Sequence, residues 1–327
     1  MMMERTIRFG IIGAGRIARQ FCEAASRVDG VEVVAVASRT PGKAMAFAGE
    51  NSLPASYDSY ERMLERDDID AVYVATTHNF HYENMLLAIE YGKHILCEKA
   101  FVLTREQAAE VFRRAEEKGL FCMEAMWSRF LPAVRRAKEW IDAGRLGEID
   151  LANFVIGFKA DPDPEGRMRN PKLAGGAMYD IGVYAIEIMT WLIPGQVRDV
   201  ASMLTNTELG VDKVDAILLR FDNCVANLQA IMTCDVPNEL NIYGTQGRIH
   251  MDNPHYADRC TLYDERGVAE EYFCRRDNGF EYEIAEFAGC VRAGKLESDV
   301  IPHRDTLLCA EIFDRCFSKE KNRDCHK

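Results

Sequence analysis

Short apolar runs alternate with amphipathic stretches along the first 120 or so residues. Residues 7–13, 31–37, 71–76 and 94–97 read as strands, the first three almost wholly apolar. Helical spacing falls between and after them, at about residues 17–28, 41–49, 57–65, 81–91 and 105–118. A strand that is apolar on both alternations is buried on both faces, and strands separated by helices pair in parallel. The pattern therefore predicts an α/β fold with a doubly wound sheet. Thr104 and Gln107 have capping-box spacing at the start of the last helix, and Gly92 and Gly119 are natural helix stops.

After Trp127 the rhythm changes. One helix, about 132–143, precedes a strand at 149–158 and an irregular stretch at 161–166. Gly175-Gly176 opens an apolar helix that runs through Leu192, and residues 197–273 read as strands joined by turns. Two helices, about 282–293 and 302–318, close the pattern. Strands in succession predict an α+β domain with a largely antiparallel, open sheet. The boundary falls near residue 124, dividing 1–124 from 125–327.

Charge and composition narrow the class. Forty Lys and Arg against fifty-two Asp and Glu leave a formal net charge of −12, which gives no general attraction for nucleic acid or an anionic membrane. No apolar run approaches the ~18 residues of a membrane-spanning helix. The start, Met1-Met2-Met3-Glu4-Arg5, lacks a signal peptide's apolar stretch. Eleven cysteines include no C-x-x-C pair and no Cys/His cluster at zinc spacing, so no metal site is expected. Cys97, Cys122, Cys290 and Cys309 sit in apolar stretches, where a thiol behaves as a small hydrophobe. A cytoplasmic protein of enzyme size is the expectation.

Four segments carry candidate chemistry. Gly13, Gly15 and Ala18 form G-x-G-x-x-A, which follows a buried-strand pattern and opens a helix. That context suits a tight turn, close approach to a pyrophosphate, and helix-start amides facing its phosphates. At the end of the second strand, where a carboxylate would select NAD, stand Ser38 and Arg39. Without the carboxylate's repulsion, and with a guanidinium able to pair with a phosphate, the site favours NADP while NAD remains possible. Glu98-Lys99 ends a strand on the side where doubly wound sheets bind ligands. Asp180 and Tyr184, four apart, share one face of a helix.

Taken together these segments resemble the glucose–fructose oxidoreductase/inositol dehydrogenase/rhizopine-catabolism (Gfo/Idh/MocA) family over essentially the whole chain. Further support comes from Ala75–His81, Glu98-Lys99, Glu124-Ala125-Met126-Trp127 and Gly144–Ile149. Glu124–Phe130 with Arg129, and Asp277–Glu283, look closest to the branch of dimeric dihydrodiol dehydrogenases and NADP-dependent D-xylose dehydrogenases. The resemblance implies a Rossmann domain over 1–124 and a substrate-binding, oligomerising domain over 125–327. It implies hydride transfer between a nicotinamide and a carbinol carbon of a sugar or cyclic diol, in a homo-oligomer.

By position it implies that Lys99 is the catalytic lysine, Tyr184 the acid/base and Asp180 their helix partner. Gly13, Gly15, Arg16, Ile17, Ser38, Arg39, Thr76, Asn79, His81 and Glu98 would then lie at the cofactor, and Trp127, Lys159 and Phe280 at the substrate. Inositol dehydrogenases usually carry histidine where this chain has Tyr184, which weighs toward sugars and diols. The family also contains glycosidases that retain their nucleotide and non-catalytic nucleotide-sensing regulators. One position departs from the pattern: Ala100 stands where the family usually has proline after Glu-Lys. A cis bond before a residue other than proline costs ~3–4 kcal/mol, so Lys99–Ala100 is expected to be trans.

Overall fold

A computed structural model describes residues 5–324 of the chain, which form two compact units. The first unit takes residues 5–102, Glu106–Trp127 and Asn278–Thr306. Its elements begin with β1 (Ile7–Ile12), α1 (Arg16–Ala25), β2 (Val31–Ala37), α2 (Lys43–Glu50), β3 (Ser56–Tyr57) and α3 (Tyr60–Leu64). They continue with β4 (Ala71–Val74), α4 (His81–Glu90), β5 (His94–Glu98), α5 (Arg105–Glu117) and β6 (Cys122–Ala125). All six strands are parallel, in the order β3-β2-β1-β4-β5-β6. The order reverses between β1 and β4, which puts the topological switch point at the carboxyl end of β1. β3 and β6 escape the apolar pattern because they are two and four residues long, and β6 has Glu124 in its run.

The second unit takes Leu103–Arg105, Ser128–Asp277 and residues 307–324. It contains α6 (Pro132–Asp142), β7 (Ile149–Gly157), α7 (Val183–Leu192), β8 (Asp199–Asn206), β9 (Asp212–Arg220) and β10 (Val225–Ile231). β11 (Glu239–Gly244), β12 (Gly247–Asp252), β13 (Arg259–Asp264) and β14 (Gly267–Phe273) complete an eight-stranded sheet, order β14-β13-β12-β11-β7-β10-β9-β8. Every neighbouring pair is antiparallel except β7 with β10. Phe154, Ile156, Ile217, Leu219, Leu228 and Leu240 bury one face of this sheet, against which α7 packs. The opposite face leaves Leu151, Met203, Leu218 and Val225 exposed.

Two helices follow, α8 (Phe280–Arg292) and α9 (His303–Asp324). The single division at residue 124 needs correction here, because α8 returns to the first unit. Phe287 packs on Phe9 at 5.1 Å and on Phe121 at 5.0 Å. The Arg292 guanidinium donates to the carbonyls of Arg5 (3.0 Å) and Gly30 (2.8 Å), and Asn278 Nδ2 to that of Gln20 (3.1 Å). The apolar stripe of α8 is local and readable, whereas the surface that covers it lies some 270 positions earlier. No helix among the described residues is long and apolar enough to cross a membrane.

Candidate active site

The glycine loop sits at the switch point of the first unit. The Gly13 N–H donates to the Ala37 carbonyl (2.9 Å) and the Ala75 N–H to the Ile12 carbonyl (2.9 Å), drawing the ends of three strands together. Gly13 has φ +107°, and a Cβ there would stand 2.8 Å from the Ala75 carbonyl oxygen, so only glycine fits. A Cβ on Gly15 would meet nothing, and Gly15 caps α1 without a side-chain hydrogen bond to its amides. Orphan amides at a helix start beside open space suit a diphosphate. Arg16 is exposed and Ile17 half-buried at the start of α1. Ser38 is buried, its N–H on the Tyr57 carbonyl (3.0 Å) and its hydroxyl accepting from the Thr40 N–H (3.3 Å). The exposed Arg39 guanidinium lies 4.8 Å from the Phe80 ring centre and 5.3 Å from that of Tyr60. These rings hold a cation at the end of β2, where a 2′-phosphate would be recognised. The residues present therefore fit a nicotinamide dinucleotide.

The Lys99 turn lies beyond β5. The Lys99–Ala100 bond is cis, which corrects the trans expectation. That expectation weighed only the missing proline, while the peptide that follows the bond, Ala100–Phe101, has both its polar groups held. His81 places Nδ1 2.9 Å from the Ala100 carbonyl and Nε2 3.0 Å from that of Thr76. The Phe101 N–H donates to Glu124 Oε1 (3.1 Å), and Glu124 Oε2 accepts from Thr306 Oγ1 (2.8 Å). Burial lowers the His81 pKa and favours the neutral imidazole; its carbonyl partners oppose this, while the Lys99 ammonium reinforces it. His81 is fully buried and Glu98 nearly so, the latter accepting the Tyr73 hydroxyl. His81 thus links the Lys99 turn to the end of β4, and Glu98 is tied to β4 through Tyr73. Thr76 accepts from Asn84 Nδ2 (3.1 Å), and Asn79 from the Thr77 hydroxyl (2.7 Å). Trp127 and Phe280, named separately in the sequence, meet at 5.1 Å in this unit.

In the second unit, Asp180 and Tyr184 lie on a helical run that begins with a π turn, Met178–Gly182, before α7. Such turns recur at functional sites. Asp180 and Tyr184 are buried, 9% and 8% exposed. Asp180 pairs with Arg167, Nη2 to Oδ1 2.7 Å. The run starts under Asp212, whose Oδ2 accepts the Met178 N–H at 2.6 Å. Gly176 has φ +124°, and a Cβ there would stand 2.1 Å from Asp212 Oδ1, so glycine is what lets this carboxyl reach the helix start. Burial pushes Asp212 up, and Asp215 further, since a second carboxyl faces it. Three residues past Tyr184, Glu187 forms a fully buried ion pair with Arg129 (2.5 Å). The His255 ring lies 5.4 Å from that of Tyr184, its carbonyl accepting from Ser128 Oγ (2.6 Å). Lys159 is exposed past the end of β7, its N–H on Asp235 Oδ1 (3.1 Å).

Sequence reasoning did not single out Arg167, Asp212 or His255. Each comes from a loop, a strand start or a short turn with no motif of its own. The glycine pair was the one available signal.

Residues 7–126 match the oxidoreductase family with an NAD-binding Rossmann fold, GFO/IDH/MocA, and residues 134–250 match that family's C-terminal domain. The chain belongs to the GFO/IDH/MocA family of oxidoreductases. It is 30% identical to trans-1,2-dihydrobenzene-1,2-diol dehydrogenase of Mus musculus, over 94% of this chain and 95% of that one. It is 31% identical to D-xylose 1-dehydrogenase (NADP(+)) of Hypocrea jecorina, over 95% and 91%. A 3-ketoreductase from Actinomadura kijaniata, solved with NADP and TDP-benzene, superposes with TM-score 0.87 at 27% identity, covering 96% of this chain and 98% of that one.

Proposed function

We propose that this protein is an NADP-preferring dehydrogenase that moves a hydride between the nicotinamide and a carbinol carbon of a sugar or cyclic diol. The observation that carries the cofactor choice is Arg39 held by Phe80 and Tyr60 at the end of β2, with Ser38 where a carboxylate would repel a 2′-phosphate. The amides from Gly13 to Ala18 hold the diphosphate, with Arg16 and Ile17 beside it, and Thr76 and Asn79 border the nicotinamide side. Trp127, Phe280 and Lys159 contact the substrate. The nicotinamide, when bound, accepts or returns the hydride.

Tyr184 takes the carbinol proton during oxidation and returns it during reduction. An unperturbed tyrosine titrates near ~10, so proton exchange near neutrality needs about 3 units, or about 4 kcal/mol. One ammonium at ~4 Å and an effective dielectric of ~20 supplies about 4 kcal/mol, which is the part we assign to Lys99. The relatives' names, a diol dehydrogenase and an NADP-dependent xylose dehydrogenase, support the substrate class.

We further infer a homo-oligomer in the cytoplasm. Leu151, Leu218, Val225 and Met203 form an apolar sheet face that a second copy would cover, and Cys97 and Cys122 are buried thiols suited to a reducing compartment. The functional reading is tested by screening NADP⁺ reduction over aldoses, inositols and cyclic diols, in parallel with NAD⁺. Turnover of a sugar or diol with NADP⁺ preferred is expected. No turnover with any of them, in protein that carries stoichiometric nucleotide through dialysis, would point instead to a glycosidase.

A further inference from the structure

The segment before the glycine pair is folded back onto it. The Asn170 N–H donates to the Gly166 carbonyl (3.1 Å), the Gly175 N–H to that of Asn170 (3.1 Å), and the Gly176 N–H to that of Met168 (2.9 Å). A Cβ on Gly175 would stand 2.7 Å from the carbonyl oxygens of both Arg167 and Met168. Glycine is therefore what allows the Arg167 backbone to lie against the start of the helical run. From there the guanidinium reaches Asp180, whose side chain is 12% exposed against 43% for Arg167. A carboxylate so nearly removed from water requires a cation, and this strap delivers one.

We propose that Arg167 is a further functional residue of this site: it neutralises Asp180, so that this carboxylate, one turn before Tyr184, does not oppose ionisation of the tyrosine. The proposal rests on the reading of Tyr184 as acid/base. Asp180 on its own would work against that role, because a nearby carboxylate disfavours tyrosinate. Other charged or titratable groups lie on or against this run, among them Tyr179, whose hydroxyl burial holds protonated. Asp212 and Asp215 lie at its start, where burial favours their neutral forms. Glu187 is matched by Arg129, and His255 lies against the tyrosine ring.

The test is an ultraviolet tyrosinate titration of the full-length protein without added nucleotide. Subtracting the matching Y184F background isolates Tyr184 from the other eleven tyrosines of the twelve. In R167Q the Tyr184 midpoint is expected to rise by about 1 pH unit or more, the usual effect of an uncompensated carboxylate at this range. R167K should stay near wild type, and adding D180N to R167Q should reverse the rise. A residue that only packs the strap would leave the midpoint in place in all of these. An unmoved midpoint in R167Q, or a rise that D180N does not reverse, overturns the proposal. If R167Q does not fold, R167M, which keeps the aliphatic stem and loses the charge, carries the same expectation, and an unmoved midpoint there overturns the proposal. Turnover of D-xylose or a cyclic diol by Y184F judges the underlying reading independently. Full activity there would end the acid/base assignment whatever the titration shows.

Discussion

Arg129 has no exposed surface, and its guanidinium bonds both the side chain and the carbonyl of Glu187. Replacing it with leucine strips a buried carboxylate of its countercharge, which typically costs ~3–5 kcal/mol. Urea unfolding of R129L should show a loss of that order, and R129L/E187L should recover part of it; a loss under 1 kcal/mol would contradict the account. At the nucleotide end, Arg39→Ala should weaken NADP binding about tenfold or more, the scale of a lost charge-assisted contact, with little change for NAD. Equal NADP and NAD affinities in the wild type would remove the basis for this. Residues whose chemistry follows from their neighbours in sequence, such as Gly13 between a strand and a helix, are legible from the chain alone. Arg167 is not, because nothing near it says that Gly175 will let its backbone approach Asp180.

The helical run bearing Asp180 and Tyr184 is built by three separated pieces. Its apolar residues were readable as a helix, but a π turn and an α turn share the same apolar pattern, so the Met178–Gly182 irregularity was not. Its N-terminal acceptor, Asp212, comes from the start of β9, 34 residues later. Asp212→Ala should cost ~1–2 kcal/mol of stability, as loss of a helix cap does, and Asp212→Asn less, because an amide oxygen still accepts the Met178 N–H. Equal losses for both variants would show that the cap is not what Asp212 supplies. At Lys99–Ala100 the absence of proline proved a poor guide to geometry; the next peptide, Ala100–Phe101, has its carbonyl on His81 and its N–H on Glu124.

The two units differ in how much of them the sequence discloses. The parallel order of the first follows from apolar strands separated by helices, while its completion by α8 depends on a pairing across most of the chain. Two late helices also bring buried titratable groups into this unit, His303 at the start of α9 and Glu283 on α8. His303 stacks on Phe112 at 3.9 Å and burial lowers its pKa from 6.5. Below 6.5 the unfolded chain binds a proton that the fold does not, so wild type should lose stability relative to His303→Gln as pH falls toward 5.5. Glu283 has the opposite sign: burial, then the Glu98 charge, raise its pKa well above 4.5. Above that value the fold keeps a proton that the unfolded chain has released, so wild type should lose ground to Glu283→Gln as pH rises. Parallel urea midpoints for variant and wild type across pH would contradict either assignment. For the assembly, light scattering at micromolar concentration should give at least a dimer, and a monomeric mass would leave the apolar sheet face unexplained. The most direct test of the central claim, that Lys99 and Tyr184 move the carbinol proton together, is the kcat of Lys99→Met, Tyr184→Phe and the double variant, with nucleotide binding measured alongside. Each single variant should lose ~10²–10⁴-fold in kcat while still binding nucleotide, and the double should be little worse than either. Normal turnover by Tyr184→Phe, or losses that multiply in the double variant, would contradict it.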